Sequence, residues 1–185
     1  GAGRGKRVVF YVTVGTGIGG GLAVDGQLQG AGRPAIAEIG HLRPGLNAEH
    51  AHVTVESIAS GPGIESAVCA RLMEDGNDPH GTGDLTGIKS QTAPFTCQLV
   101  AQAAKDGSII AREVLDSACQ ALGWAIAQVI TLVAPEVVVV GGGVSMIGEQ
   151  LFYAPVRRYV QQYVFPPLAS SYQIVSPSLD ELVVV

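Results

Sequence analysis

The run Val8-Val9-Phe10-Tyr11-Val12-Thr13-Val14, followed at once by Gly15-Thr16-Gly17-Ile18-Gly19-Gly20-Gly21, constrains this chain more than any other stretch. β-Branched and aromatic residues without interruption specify a buried strand. The glycines then strip side chains from the point where that strand ends. Ordered glycine costs conformational entropy, so a cluster is kept mainly where positive φ or close approach of the main chain is required. Amides facing outward from such a turn can hold a phosphate without any side chain. The same loop could equally be a tight β-turn between two strands, and the loop alone leaves both readings open. It lacks the Lys-Ser/Thr of a Walker A loop and the following helix of a dinucleotide fold. Gly21 to Leu28 instead carries Asp25-Gly26, a hairpin turn signal, so the spacing predicts strand, glycine loop and strand.

A net charge of -5 with no Lys/Arg-rich run gives no electrostatic footprint for nucleic acid or an anionic membrane. The most apolar helical stretch, Ala121 to Ala134, is interrupted by Gln128 and Thr131 and falls short of the ~20 residues that span a bilayer. Cys69, Cys97 and Cys119 are odd in number and far apart, which fits buried thiols in a reducing, cytoplasmic compartment. With 185 residues, 47% of them hydrophobic, the chain suits one domain. Gly1 to Lys6 has neither an initiator Met nor a signal-peptide core, and Leu182 to Val185 ends on an apolar run, so the expectation is a part of something longer.

Beyond the hairpin, Ala35-Ile36-Ala37-Glu38-Ile39-Gly40-His41 sets a carboxylate and an imidazole three residues apart among small apolar residues, with Gly40 giving access between them. A surface Glu beside a core His would read the same way. Leu42 to Thr54 reads as a loop carrying His50 and His52. Glu56 to Ser60 reads as a short helical turn broken by Gly61-Pro62-Gly63, with a helix from Ile64 to Met73 beyond it. Glu74 to Gln91 is a polar insertion. Thr92 is a plausible N-cap, with Pro94 early in a helix reaching Lys105. Apolar residues at Ile110, Val114, Ala118, Leu122, Ile126 and Ile130 predict a long packed helix ended by Pro135.

Glu136 to Val140 is a continuous apolar strand, as in a sheet covered on both faces. It runs into Gly141-Gly142-Gly143, after which Ile147, Leu151, Val156 and Val160 predict a helix, and Tyr172 to Val175 one more strand. A glycine loop at the carboxyl end of a strand is where α/β sheets bind ligands. A packing turn would explain one such loop; two in one chain favour a nucleotide.

The ordered set TVGTGIGGG (13–21), AEIGH (37–41), VESIASG (55–61) and APEVVVVGGGVS (134–145) resembles the ROK family of sugar kinases and related repressors, within the actin-like ATPase superfamily. The resemblance implies an α/β lobe of the actin-like (ribonuclease H-like) type, a mixed sheet flanked by helices, with residues 1–185 as the larger C-terminal lobe. It implies ATP with Mg2+ as cofactors, a hexose as substrate and a homodimer. Gly15, Thr16 and Gly17 would then face the phosphates, and Gly141, Gly142 and Gly143 would line the nucleoside. Glu38, His41 and Glu56 would hold the sugar hydroxyls, since a carboxylate accepts bonds from vicinal hydroxyls and an imidazole both donates and accepts.

Two departures from the family pattern are evident. Most members carry a cysteine cluster between that His and the second Glu, which with the His binds a structural zinc; no cysteine stands there, so no zinc is expected. The family's catalytic Asp precedes the point where this sequence begins, so no catalytic base is assigned within the chain, and alone it is expected to be inactive. A competing reading is the sugar-sensing half of a ROK-type transcriptional repressor.

Overall fold

In the computed structural model, which describes residues 2–30, 32–33, 35–74 and 96–178, the glycine hairpin sits at the middle of the sheet. Strand β1 (Val8–Val14) pairs antiparallel with β2 (Ile18–Val24), Val14 opposite Ile18, so the loop between them is Gly15-Thr16-Gly17. Asp25 and Gly26 then turn with φ of 52° and 74°, the left-handed geometry that Asp-Gly supports, into the short β3 (Gln27–Leu28). On its other edge β1 accepts β4 (Val137–Gly141) in parallel, with Thr13 opposite Gly141, and β4 accepts β5 (Gln173–Val175) in parallel. The sheet is therefore mixed, in the order β3-β2-β1-β4-β5. Because β1 and β4 run the same way, their carboxyl ends emerge side by side, and the two glycine loops with them.

The helices are α1 (Val55–Ala59), α2 (Gly61–Glu74), α3 (Cys97–Lys105), α4 (Ile109–Val133) and α5 (Ala154–Tyr163). The core is built on α4, whose Leu122, Ala125, Ile126, Ala127 and Ile130 are wholly buried, against Val12, Val14, Val138 and Val140 of the sheet and Val156 and Val160 of α5. Helices α4 and α5 meet at Gly123, where a Cβ would stand 2.5 Å from Tyr159 Cβ. Before Pro135, α4 ends on Ala134 in the left-handed region (φ 45°, ψ 55°). No helix of the described residues is long and apolar enough to cross a membrane.

The structure corrects three local expectations. Thr92 and Pro94 lie outside the described residues, and the helix begins instead at Cys97, with the Thr96 hydroxyl accepting from Leu99 N at 3.3 Å. Gly61-Pro62-Gly63 is the first turn of α2 rather than a break: Pro lacks only an N–H that a first turn leaves unpaired anyway, and the Ser60 hydroxyl accepts from Gly63 N at 3.2 Å. After the second glycine loop, a 3-10 turn (Gly143–Ile147) and a π turn (Glu149–Tyr153) precede α5, because Gly148 at φ 102° interrupts the helix between them. The polar segment 75–91, with Asp75, Asp78 and Asp84, and the carboxyl end with Asp180 lie outside the described residues.

Candidate functional site

The glycines of β2 serve packing as well as the loop. A Cβ on Gly20 would meet the Ala37 carbonyl oxygen at 2.4 Å, and one on Gly40 would meet the Ile18 carbonyl oxygen at 2.1 Å. Backbone thus lies on backbone, and segment 37–41 is laid directly across β2. Gly40 is buried there, so it provides that contact rather than access between Glu38 and His41. The segment closes as a 3-10 turn (Ile39–His41), with Glu38 just before it and His41, exposed, at its last position.

From the other side, α1 brings Glu56. Thr54 caps this short helix in a reciprocal capping box with Ser57, which fixes the helix start and hence the reach of the residue between them. Glu56 Oε2 accepts from Ile18 N at 2.7 Å and lies 2.9 Å from where a Cβ on Gly17 would stand. Glu38 Oε2 lies 4.0 Å from the corresponding position on Gly19. The two carboxylates, distant in sequence, therefore flank positions two residues apart on the hairpin. Thr16, His41, Glu56 and the hydroxyl residues Thr54, Ser57 and Ser60 line one open cleft of ≈ 530 Å³, which also takes in His52 and Ser66; Glu38 is not part of its lining.

The loop amides are divided between structure and ligand. Gly15 N donates to the Gly17 carbonyl at 2.9 Å and Ile18 N to Glu56, whereas the N–H groups of Thr16 and Gly17 donate to nothing among the described residues. Space at Gly15 is open, but a side chain at Gly17 would first strike Glu56. At the second loop Gly142 has φ 94°, and a Cβ there would lie 2.5 Å from the Val14 carbonyl oxygen, so the loop rests on the very end of β1. Gly141 is buried beneath Tyr11 and Pro177, and Gly143 alone of the three is exposed. The main-chain contact between Gly61 N and the Gly15 carbonyl, 2.8 Å, ties the start of α2 to the same corner.

A structural zinc does not fit these residues. The rings of His50 and His52 stack parallel with centroids 5.4 Å apart, and the described residues contain no group of three or more His, Cys, Asp or Glu side chains placed to hold a metal ion. Three imidazoles without a thiolate are also a poor donor set for a closed zinc site. Of the described aspartates, Asp25 faces Arg7 at 3.4 Å, Asp106 accepts from Gln102, and Asp116 accepts from Arg158 and Tyr159. Each is occupied away from the cleft.

The model of the ROK family matches residues 1–181. The chain belongs to the ROK family. It is 32% identical over 98% of its length to a glucokinase of Thermotoga maritima, of which it covers 56%, and 27% identical over 82% of its length to the DNA-binding transcriptional repressor Mlc of Escherichia coli, of which it covers 36%. A ROK family glucokinase from Streptomyces griseus, solved in complex with glucose and AMPPNP, superposes with a TM-score of 0.76 at 26% identity, over 95% of this chain and 57% of that one. The chain spans about half the length of the glucokinases it matches. The mixed sheet with its flanking helices is thus the actin-like ATPase fold of the ROK glucokinases.

Sequence reasoning named Thr16, His41 and Glu56 but passed over Thr54, Ser57, Ser60 and His52 as lining residues. The Thr54-x-x-Ser57 capping pattern was a signal for where α1 starts and so for which hydroxyls face the cleft.

Proposed function

We propose that the complete protein is a cytoplasmic, ATP-dependent hexose kinase of the glucokinase type, a homodimer in which residues 1–185 form the larger C-terminal lobe. The observation that carries this reading is the shared cleft: the tip of the glycine hairpin, His41 and Glu56 border one space, so a phosphate donor and a polyhydroxyl acceptor can meet there. His41 and Glu56 hold the sugar hydroxyls from the cleft lining, and Glu38, beside Gly19 and outside that lining, is assigned to them by the family resemblance. The amides of Thr16 and Gly17 face the terminal phosphate, and the loop Gly141 to Gly143 borders the nucleoside, with Gly143 the residue open to it. Mg2+ bound with ATP offsets charge on the phosphates.

The base that deprotonates the attacking hydroxyl belongs, in this reading, to an N-terminal lobe that closes over the cleft and excludes water. Residues 1–185 alone should therefore show no sugar-dependent ADP release, and the complete protein should show it. Turnover by the isolated chain would overturn the division of labour between lobes. The likeness to Mlc favours a second reading, a sugar-responsive repressor: sugar binding without ADP release by the complete protein, together with specific DNA binding, would decide for it.

A further inference from the structure

Glu56 serves two neighbours at once. Its Oε2 is engaged by the Ile18 amide at 2.7 Å, while the side chain lines the cleft beside Thr16 and His41. A carboxylate offers about four lone-pair sites on two oxygens, so Oε1 remains for a ligand hydroxyl while Oε2 holds the hairpin. At the other end of the three-residue loop, Gly61 N donates to the Gly15 carbonyl at 2.8 Å. The segment from Thr54 to Gly63 therefore grips the loop at both ends and supplies the cleft with hydroxyls between those grips.

We infer that Glu56 is a positioning residue for the phosphate loop as well as a sugar ligand, and that through it sugar and nucleotide bind with positive coupling. This rests on the hexose-kinase reading above. A hydroxyl bound at Oε1 fixes the plane of the carboxylate, which fixes the Ile18 amide and hence the orientation of the Thr16 and Gly17 amides. A phosphate on those amides holds the hairpin, and with it the carboxylate, in return. Such coupling is reciprocal by thermodynamic necessity: each ligand tightens the other by one and the same factor.

Electrostatics alone predicts the opposite sign. A carboxylate beside the phosphates repels them, so its removal should tighten nucleotide binding if charge were its only influence.

Two variants of the complete protein separate these cases by calorimetric titration with glucose and AMPPNP. Gly17→Ala sets a Cβ 2.9 Å from Glu56 Oε2, a contact relieved by moving the flexible carboxylate off the Ile18 amide. Its glucose Kd, measured without nucleotide, should rise about 3- to 10-fold while the protein still unfolds cooperatively with only a modest fall in Tm, and the coupling factor should fall toward one. Glu56→Ala, titrated with AMPPNP in the absence of sugar, should bind about 3- to 10-fold more weakly. An unchanged glucose Kd in Gly17→Ala, or unchanged or tighter AMPPNP binding in Glu56→Ala, overturns the inference. Wild-type protein that binds neither glucose nor AMPPNP overturns the kinase reading itself.

Discussion

Replacing Gly142 with Ala tests whether the second glycine loop is seated on the end of β1 as described. At φ 94° and ψ 168° this residue occupies a region open essentially to glycine, and an L side chain forced there costs about 1–3 kcal/mol. The added Cβ would also stand 2.5 Å from the oxygen, 2.7 Å from the nitrogen and 2.8 Å from the carbon of Val14, all main-chain atoms of a fully buried residue that cannot swing aside. Overpacking of that kind adds about 1–3 kcal/mol. A combined loss of roughly 2–6 kcal/mol, at about 2–4 °C per kcal/mol for a domain of this size, lowers Tm by ~4–24 °C. Gly143 is the internal control: it has no positive φ and nothing within 4 Å of its would-be Cβ, so Gly143→Ala should move stability by no more than ~0.5 kcal/mol. Thermal unfolding followed by circular dichroism reads both variants. If Gly142→Ala melted within a degree or two of the parent, the close approach of the loop to Val14 would be refuted.

Burial pushes the Cys119 thiol up to about 12, with Asp116 adding to the effect, and burial likewise pushes Cys97 up to about 11, with Glu65 adding. Native protein at pH 8 should therefore resist alkylation of Cys119 by iodoacetamide and react only once unfolded; rapid native labelling found by peptide mass mapping would contradict the packing. Because the folded pKa values lie above the ordinary 9.0, the thiols' contribution to stability is complete below about pH 9 and is lost as pH climbs from there toward 12. Denaturant midpoints should, as far as these groups are concerned, be flat from pH 7 to about pH 9 and decline from there to about pH 11. Ala134, left-handed at φ 45° immediately before Pro135, should accept glycine with a gain of roughly 0.5–1 kcal/mol, and a lower Tm for Ala134→Gly would argue against that backbone geometry.

Local pattern was enough wherever one element answers to its own side chains. The apolar runs of β1 and β4, Asp25-Gly26 at the hairpin and the four-residue spacing along α4 were legible because burial on a sheet or a helix face imposes its period directly on the sequence. Helix starts were less legible: Thr92 and Thr96 are equally good caps by type, and only the chain's path brings the Thr96 hydroxyl to the Leu99 amide. The meaning of several glycines was hidden for a different reason. Gly20 and Gly40 are small because the Ala37 and Ile18 carbonyls press on them, and Gly17 because Glu56 does, contacts between segments about 17 to 39 residues apart that carry no local signature. Residue types and their order carry the family resemblance from which Glu38, His41 and Glu56 are proposed for sugar and the two glycine loops for a nucleotide. Which amides remain for a ligand, which of Gly141, Gly142 and Gly143 is exposed, and that one oxygen of Glu56 is already committed to Ile18 were decided only by tertiary packing, because each depends on which distant atom reaches a backbone group first.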